Sequence, residues 1–254
     1  YHHGNSVCIS SQVGCRMGCR FCASTLDGLE RNLTPAEMLD QIYRIQTLTG
    51  ERVSNIVIMG SGEPLDNYDN VMRFIRLAND PQGLGIGMRH ISLSTCGVVP
   101  RIYDLMERHL QLTLSVSLHA PNNEMRSKTM PINKKYPIEE LLKACREYTK
   151  RTSRRISFEY AMIKDVNDSD ACAYELAALL KGMLCHVNLI PANEIVESSH
   201  KRSTNERLES FIKVLNSRGI NATVRRSLGS DIDASCGQLR SRHNREISEK
   251  EGNK

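Results

Sequence analysis

The stretch Cys15-Arg16-Met17-Gly18-Cys19-Arg20-Phe21-Cys22 places three cysteines at C-x3-C-x2-C spacing on one short loop that contains a glycine. Thiolates are ligands that iron–sulfur clusters prefer, and three of them this close together can hold three corners of a cubic cluster. The next cysteine along the chain is Cys96, so we expect the fourth iron to keep an open coordination position. Catalytic metal sites keep such a position for their substrate.

Two other interpretations of these cysteines remain open at this point. They can join a histidine in a structural zinc site, or they can be ordinary buried thiols. Zinc sites usually show a second cysteine pair downstream, and none follows here. The spacing therefore favours a cluster held by Cys15, Cys19 and Cys22, with Phe21 placed to shield it from water.

The composition predicts one large domain, or one domain with a small appendage. The chain has 254 residues, of which 40% are hydrophobic, and it contains only 5% aromatic residues and no tryptophan, so its core must be aliphatic. We find no apolar run of membrane-spanning length and no signal peptide at the start of the sequence. The partner set is therefore expected to include no membrane.

The cysteine count and the net charge limit the cellular setting and the partners. Nine cysteines are an odd number, and they are scattered, which indicates a reducing cytoplasm where thiols serve as ligands or reagents. The formal charge of +5 and the pI near 8.7 are compatible with a nucleic-acid partner but do not require one.

Short β-branched runs alternate with amphipathic stretches of helical length. Strands are predicted at 6–10, 55–59, 90–94, 112–118, 155–160, 186–190 and 221–225. Helices are predicted at 35–49, 70–78, 100–109, 137–151, 170–181 and 203–217. The first helix follows a capping box formed by Thr34 and Glu37, and one of its faces carries Met38, Ile42, Ile45 and Leu48 or Thr49. Such alternation predicts an α/β fold with βα units around a parallel sheet, as in a complete or partial barrel.

Small and polar residues follow several of the predicted strands. After the three-cysteine loop these segments are Gly60-Ser61-Gly62-Glu63-Pro64, Ser94-Thr95-Cys96-Gly97, Ser117-Leu118-His119-Ala120-Pro121 and Pro191-Ala192-Asn193. Because the carboxyl ends of parallel strands meet at one edge of a barrel, we expect a ligand site there.

Each of these segments also has an ordinary structural explanation when it is taken alone. The 60–64 segment can be a turn, Ser94 and Asn193 can be caps, and His119 can be a buried structural histidine. Cys236, which lies between small residues near a glycine, can be a reactive thiol or a small apolar filler.

Taken together the motifs resemble those of the RlmN/Cfr family of radical S-adenosylmethionine (SAM) RNA methyltransferases. The resemblance runs from about residue 4 to residue 239 and is greatest to the RlmN branch, the dual-specificity enzymes that methylate carbon 2 of adenine. It rests on the segments above and on Met130-Pro131-Ile132-Asn133-Lys134-Lys135-Tyr136, Asn188-Leu189-Ile190-Pro191-Ala192-Asn193 and residues 231–239. Ser61 departs from the family, which commonly has methionine or another apolar residue there.

The resemblance implies a partial (β/α)6-type radical SAM barrel with a short C-terminal extension. Residues 1–239 would form this core domain, including a methyl-carrier loop, and the charged residues 240–254 are expected to be a disordered tail. The family also has an N-terminal helical accessory domain and a glutamate that accepts a proton, and neither falls within this sequence.

The resemblance also implies cofactors and residue roles. A 4Fe-4S cluster would be bound by Cys15, Cys19 and Cys22. Cys236 would carry the methyl group, and Cys8 would pair with it in a disulfide. The second cofactor, SAM, would be bound by Gly62, Glu63, Ser94, Ser117, Leu118, His119 and Asn193.

In the reaction that the resemblance implies, Cys236 first takes a methyl group from one SAM. A 5′-deoxyadenosyl radical made from a second SAM then removes a hydrogen atom from the S-methyl group. The resulting carbon radical adds to the adenine, and the adduct breaks down as Cys8 forms a disulfide with Cys236. The implied partners of a cytoplasmic monomer are large-subunit ribosomal RNA, transfer RNA and an electron donor such as flavodoxin or ferredoxin.

Two rival functions remain. One is the Cfr branch of the same family, which methylates carbon 8 of an adenine in ribosomal RNA and confers antibiotic resistance. The other belongs to a different class: a metal-stapled RNA-binding module without catalysis.

Overall fold

Seven parallel strands form one sheet in a computed structural model that describes residues 4–191 and 202–225. The elements in chain order are β1 (Asn5–Cys8), β2 (Gln12–Gly14), β3 (Leu29–Asn32), α1 (Pro35–Thr49), β4 (Val53–Ile58), α2 (Tyr68–Asn79), β5 (Ile91–Thr95), α3 (Val99–Glu107), β6 (Thr113–Ser117), α4 (Asn123–Thr129), α5 (Ile138–Thr152), β7 (Ile156–Met162), α6 (Asp170–Leu180), β8 (Cys185–Pro191), α7 (Asn205–Ser217) and β9 (Ala222–Val224).

The strand order in the sheet is β1-β4-β5-β6-β7-β8-β9, which follows the chain apart from a separate two-stranded hairpin of β2 and β3. Every neighbouring pair of the seven is parallel. Right-handed crossovers in one direction place all connecting helices on the same face of such a sheet. The sheet therefore curls into a partial barrel, which confirms the predicted fold class.

The two faces of the sheet differ in polarity. In β5, Ile91 and Leu93 are completely buried on the face that packs against the helices, whereas Ser92 and Ser94 alternate with them and are half-buried. The same alternation continues through the central strands. A row of small or polar side chains thus lines the inner face, where register pairs Ser94 with Ser115, Ser117 with Glu159 and Glu159 with Asn188. An inner face with this composition is suited to a polar ligand.

The seven predicted strands and six predicted helices are all present, with ends that differ by a few residues. The capping box of α1 is confirmed: the Thr34 hydroxyl accepts from the Glu37 N–H, and Glu37 accepts from the Thr34 N–H. The predicted apolar face of α1 is wrong in its second half, because Met38 and Ile42 are buried but Leu48 is 86% exposed. At about 22 Å the helix is longer than β1, which spans about 13 Å, so its last turns pass beyond that strand.

Two elements have no counterpart in the sequence-based assignment. The β2–β3 hairpin consists of strands of three and four residues that include glycine, asparagine, glutamate and arginine, which are poor strand formers. Helix α4 is only seven residues long and is mostly polar, so it has no apolar periodicity. No helix within residues 4–191 and 202–225 is long and apolar enough to cross a membrane.

Candidate active site

The three-cysteine loop begins directly at the end of β2. Gly14, the last residue of that strand, has a φ of +77°, and a Cβ atom there would lie 2.0 Å from the Gly28 carbonyl oxygen. The Cys15 N–H donates to the same oxygen over 2.8 Å. Only glycine fits this close backbone approach, so the hairpin determines where the first cysteine lies.

The far end of the loop is held by three other hydrogen bonds. The Arg20 N–H donates to the Thr129 carbonyl at the end of α4 over 2.9 Å. The Thr25 hydroxyl donates to the Cys22 carbonyl over 2.9 Å, and the Cys22 N–H donates to the Cys19 carbonyl. The loop is therefore a folded turn anchored at both ends rather than a free connection.

The three thiols influence one another electrostatically. Cys15 and Cys19 are buried, and Cys22 is half-buried. Burial raises the pKa of Cys15 to about 11, with further contributions from Glu63 and Cys22. Burial also raises the pKa of Cys19, and Cys22 and Cys15 add to the effect. The two buried thiols, whose pKa values are raised, need a compensating cation to become thiolates, which fits an iron–sulfur cluster.

A single metal ion fits the arrangement less well. Within the described part of the chain no group of three or more His, Cys, Asp or Glu side chains converges closely enough to hold a metal ion. In a cubic cluster each cysteine binds a different iron, so the three sulfurs need not meet at one point. The donor set and its spacing thus fit the cluster better than a zinc ion.

The glycine-rich loop after β4 packs tightly against residues that follow β1. Gly60 donates its N–H to the Ile9 carbonyl over 2.9 Å, and a Cβ atom on Gly60 would lie 2.7 Å from that oxygen. Gly62 has a φ of +106°, and its Cβ would lie 2.6 Å from the Gln12 side chain. Both glycines are required for this approach of the loop to the cysteine segment.

Glu63 connects this loop to the end of β5. Its carboxylate is buried and accepts hydrogen bonds from the Leu65 N–H over 3.0 Å and the Cys96 N–H over 2.7 Å. Burial raises the pKa of Glu63, against the lowering effect of these N–H groups. The predicted contact of Glu63 with SAM stays a prediction. Because both carboxylate oxygens already accept hydrogen bonds, we expect the backbone of Glu63 to make that contact.

Cys96 lies close to the cysteine loop but does not serve as an obvious fourth ligand. It packs against Cys19 and Met130 in a small apolar cluster. Burial raises the pKa of the Cys96 thiol, and its hydrogen bond to Glu63 raises that pKa further. Because the Cys96 thiol is hydrogen-bonded to Glu63 and packed among apolar side chains, we expect the cluster to be held by the three loop cysteines alone.

The predicted SAM residues of β5 and β6 lie at one edge of the inner face. Ser94 and Ser117 are half-buried there, while the Leu118 side chain is fully buried in the core, so Leu118 can meet a ligand through its backbone. Asn193 and Cys236 lie outside the described residues, and their predicted roles stay predictions.

His119 is held in one orientation by backbone groups. Its φ is +55°, and its Nδ1 accepts from the Ala161 N–H over 2.9 Å, so the proton of the neutral ring is on Nε2. Burial, with Arg126 nearby, lowers the pKa of His119 to about 3. The Phe21 ring meets the His119 ring edge-on at 4.7 Å. The cysteine loop and the end of β6 thus form one site.

Cys8 ends β1 at the same edge of the sheet. It is exposed, and its strand position is opposite Val57. Partial burial of the sulfur raises its pKa, against the lowering effects of the Met59 N–H and Arg225.

The structure also reveals residues that sequence reasoning missed. Gln12, Arg126, Asn133 and Asn167 are all buried and bind backbone or side-chain groups of the site loops. Asn133 lies within a segment that carried the family resemblance, which was the available signal. The others follow no recognisable chemical spacing.

Comparison with known proteins identifies the family. A family model described as the Radical SAM superfamily matches residues 9–177. A protein of Lachnospira eligens, named probable dual-specificity RNA methyltransferase RlmN, is 59% identical over 252 residues, which cover 99% of this chain and 72% of that protein. The chain belongs to the RlmN family. A Clostridium botulinum relative with the same name is also 59% identical and covers 94% of this chain.

Solved structures agree with membership of the RlmN family. A radical SAM methyltransferase from Sphaerobacter thermophilus matches with a TM-score of 0.90 at 50% identity, over 93% of this chain and 70% of that one. SuiB of Streptococcus suis bound to SAM matches with a TM-score of 0.66 at 14% identity, which shows the shared fold alone. The chain is a SAM-dependent RNA methyltransferase of the radical SAM class. Its family implies a 4Fe-4S cluster and SAM as cofactors.

Proposed function

We propose that this protein methylates carbon 2 of an adenine in large-subunit ribosomal RNA and in transfer RNA, through an S-methylcysteine at Cys236. The observation that carries the proposal is the 59% identity, over nearly the whole chain, to a protein named dual-specificity RNA methyltransferase RlmN. The described site supports it with the anchored three-cysteine loop and an open, polar sheet edge beside it.

Carbon 2 of adenine is electron-poor, so direct displacement of the SAM methyl group by this carbon is not feasible. A sulfur nucleophile removes the difficulty, because a thiolate takes a methyl group by ordinary displacement. The bound cluster and SAM supply the carbon-radical chemistry that follows. In this proposal Cys236 accepts the methyl group and carries it to the base.

Cys8 has the properties of the resolving thiol. It is exposed at the end of β1, at the same sheet edge as the 60–64 loop, so another segment can reach it. Its raised pKa means that it attacks only after losing its proton, and Arg225 stabilises the thiolate. Attack of this thiolate on the Cys236 sulfur would form the disulfide as the bond from that sulfur to the transferred carbon breaks. Carbon 2 of the ring would lose its proton, the transferred carbon would gain one to become the methyl group, and the electron left over from the radical adduct would pass to an acceptor such as the cluster.

His119 and Phe21 have distinct tasks in the proposed site. The neutral His119 ring accepts a hydrogen bond from the Ala161 N–H at Nδ1 and would present its Nε2–H as a fixed donor toward SAM. Phe21, packed edge-on against that ring, excludes water from the cysteine loop. Ser94 and Ser117 would bind polar groups of SAM from the inner face, and we propose that Asn193 contributes to the same site.

The RNA substrate must present an unstacked adenine, because a base inside a helix cannot reach a recessed sheet edge. An electron donor such as flavodoxin or ferredoxin would supply the reducing electron, and we propose that the enzyme works as a monomer. All eight cysteines of the described residues are free thiols, which supports a reducing compartment such as the cytoplasm.

Product analysis tests the proposal. The protein, together with the N-terminal segment found in its relatives, is expressed in a bacterial strain that lacks its own adenine-C2 methyltransferase. Mass spectrometry of nucleosides from ribosomal and transfer RNA is expected to show 2-methyladenosine, and a Cys236→Ala variant is expected to show none. Finding 8-methyladenosine alone would assign the protein to the Cfr type of activity instead.

A second measurement separates the enzyme from a metal-stapled RNA-binding module. Anaerobic reconstitution with iron and sulfide is expected to give a brown protein that releases 5′-deoxyadenosine from SAM when reduced. A colourless protein that holds zinc and cleaves no SAM would end the enzymatic interpretation.

A further inference from the structure

Arg126 in α4 is a completely buried arginine, with none of its surface exposed. Its guanidinium makes four hydrogen bonds: Nε donates to the Leu118 carbonyl over 3.2 Å, and Nη1 donates to Asn133 Oδ1 over 3.0 Å. Nη2 donates to the Cys96 carbonyl over 2.7 Å and to the Ser117 carbonyl over 3.1 Å. One side chain thus holds the loops that follow β5 and β6 together.

All four acceptors are neutral, so the positive charge has no ionic partner among the residues that the structure describes. Among residues 4–191 and 202–225, the ion pairs involve other arginines and lysines but not Arg126. Burial lowers the pKa of Arg126, but arginine stays protonated in proteins. A buried charge without a counter-charge is costly to stability. A negatively charged group that binds near Arg126 would offset this cost.

The three-cysteine loop lies beside this guanidinium. The loop is fastened to α4 by the hydrogen bond from Arg20 to Thr129, and Cys19 packs against Cys96, whose carbonyl Arg126 binds. The cysteine loop is thus a direct neighbour of the buried Arg126 side chain and of the backbone that it holds.

We propose that Arg126 is the built-in counter-charge of the iron–sulfur cluster on Cys15, Cys19 and Cys22, and that it raises the reduction potential of that cluster. The inference rests on the cluster that membership of the radical SAM superfamily implies. Arg126 acts on the cluster electrostatically, through Cys19, and holds the Ser117 and Leu118 backbone by hydrogen bonds. It is therefore a positioning residue rather than a catalytic one.

The physical basis is the charge that reduction adds. Three thiolates make the loaded cluster net negative, and one electron from the donor adds one more negative charge without a proton to balance it. A fixed cation in a water-free interior stabilises the reduced form more than the oxidised form.

The test is an anaerobic redox titration of the reconstituted wild-type protein and of three variants, with dithionite as the reductant. Electron paramagnetic resonance measures the reduced fraction of the cluster at each potential. Arg126→Gln removes the charge and keeps a hydrogen-bond donor. Arg126→Lys keeps the charge. Arg146→Gln is the matched control, because Arg146 also donates to backbone carbonyls, those of Leu179 and Lys181, but is exposed on α5.

We expect a midpoint potential more negative than that of the wild type for Arg126→Gln, and an unchanged potential for Arg126→Lys and Arg146→Gln. Equal potentials in Arg126→Gln and the wild type would overturn the proposal. If Arg126→Gln does not fold, Arg126→Lys decides, because a potential shifted well below the wild-type value despite the retained charge contradicts the charge-based explanation.

Thermal unfolding with and without the cluster gives a second readout. The increase in Tm on cluster loading is expected to be smaller in Arg126→Gln than in the wild type, because the counter-charge acts only in the loaded protein. A purely structural role would lower both Tm values equally and leave this increase unchanged, which would also refute the inference. Failure of the wild type to bind any cluster would instead contradict the proposed function itself.

Discussion

The side-chain carbonyl of Gln12 accepts a 2.8 Å hydrogen bond from the Glu63 backbone N–H. The amide nitrogen of Gln12 donates to Asn32 in β3 and to Asp66, which also binds Arg16 within the three-cysteine loop. One buried glutamine in a hairpin strand therefore couples the glycine-rich loop to the loop that holds the cysteines. The proposed binding sites of the cluster and of SAM therefore belong to one hydrogen-bonded unit.

Replacing Gln12 should loosen this unit. Gln12→Ala leaves the buried Glu63 N–H without its acceptor, which should lower the free energy of unfolding by about 1–3 kcal/mol and weaken SAM binding about tenfold or more. Denaturant titration and isothermal calorimetry with reconstituted protein measure the two effects.

Gln46→Ala is the matched control for Gln12. Gln46 also accepts a backbone N–H, from Val53 over 2.8 Å, but at the start of β4, at the opposite end of the strand from the site. The Gln46→Ala variant should therefore bind SAM with the affinity of the wild type. Equal SAM affinity in both variants would show that Gln12 does not organise the site.

The start of the cysteine loop should be intolerant of a single methyl group. Gly14→Ala combines left-handed strain with a Cβ placed 2.0 Å from the Gly28 oxygen, which should cost roughly 3 kcal/mol or more and reduce iron uptake. Gly28→Ala has a similar φ of +68° but meets nothing within 4 Å, so it should cost only about 1–2 kcal/mol. Iron content after anaerobic reconstitution compares them, and similar iron loss in both would contradict the steric argument.

His119 should make stability depend on pH in the acidic range. Its pKa is lowered from 6.5 to about 3, so below about pH 6.5 the unfolded chain binds a proton that the folded chain does not. This stability is therefore present above the unfolded pKa and is lost as the pH falls from about 6.5 toward 3. Between pH 7.5 and pH 5 the loss amounts to about 2 kcal/mol.

The variant His119→Asn isolates that contribution. Asparagine accepts the φ of +55° at this position and can still bind the Ala161 N–H, but it does not titrate. Urea unfolding of the chain at the two pH values should show a decline in stability that is smaller by about 2 kcal/mol in the variant. An identical decline in both proteins would mean that His119 carries a proton in the folded state.

Cys96 should be dispensable for cluster binding although it touches Cys19. Cys96→Ala removes a thiol that is hydrogen-bonded to Glu63 and is not one of the three loop cysteines. The iron content of the reconstituted variant should therefore equal that of the wild type. Cys19→Ala should lose most of the iron, because it removes one of three ligands. Iron analysis measures both, and a loss in Cys96→Ala as large as that in Cys19→Ala would identify a four-cysteine site.

Cys8 should be needed for release of the product and not for methyl loading. In Cys8→Ala the Cys236 sulfur has no resolving thiolate, so RNA should remain covalently attached to the protein. Cys185→Ala, which removes another free thiol from β8, is the control and should turn over normally. Denaturing gels with labelled RNA detect the adduct, and normal release by Cys8→Ala would assign Cys8 a structural role.

The strands and helices that alternate around the barrel were predictable because each has a simple periodicity. The β-branched run of β4 and the capped, amphipathic α1 are examples. The hairpin and α4 were not predictable, because their polar residues are held by tertiary hydrogen bonds. Gln12 of the hairpin binds Glu63, and Arg126 of α4 binds the loops after β5 and β6. The apolar face of α1 was overestimated for the same reason. Periodicity identifies apolar residues at helical spacing, but it does not show whether another element of the fold covers them.

The sequence by itself determined the chemistry of this protein: three cysteines at a fixed short spacing, glycines at the turns, and small or polar residues after the strands. These are local patterns, and the chemistry of ligands and turns depends on local spacing. The tertiary structure alone decided which carboxylate is occupied by backbone N–H groups, which thiol stays protonated and which buried cation lies beside the cysteine loop. Those properties arise from burial and electrostatics among residues distant in the chain, so no local pattern encodes them.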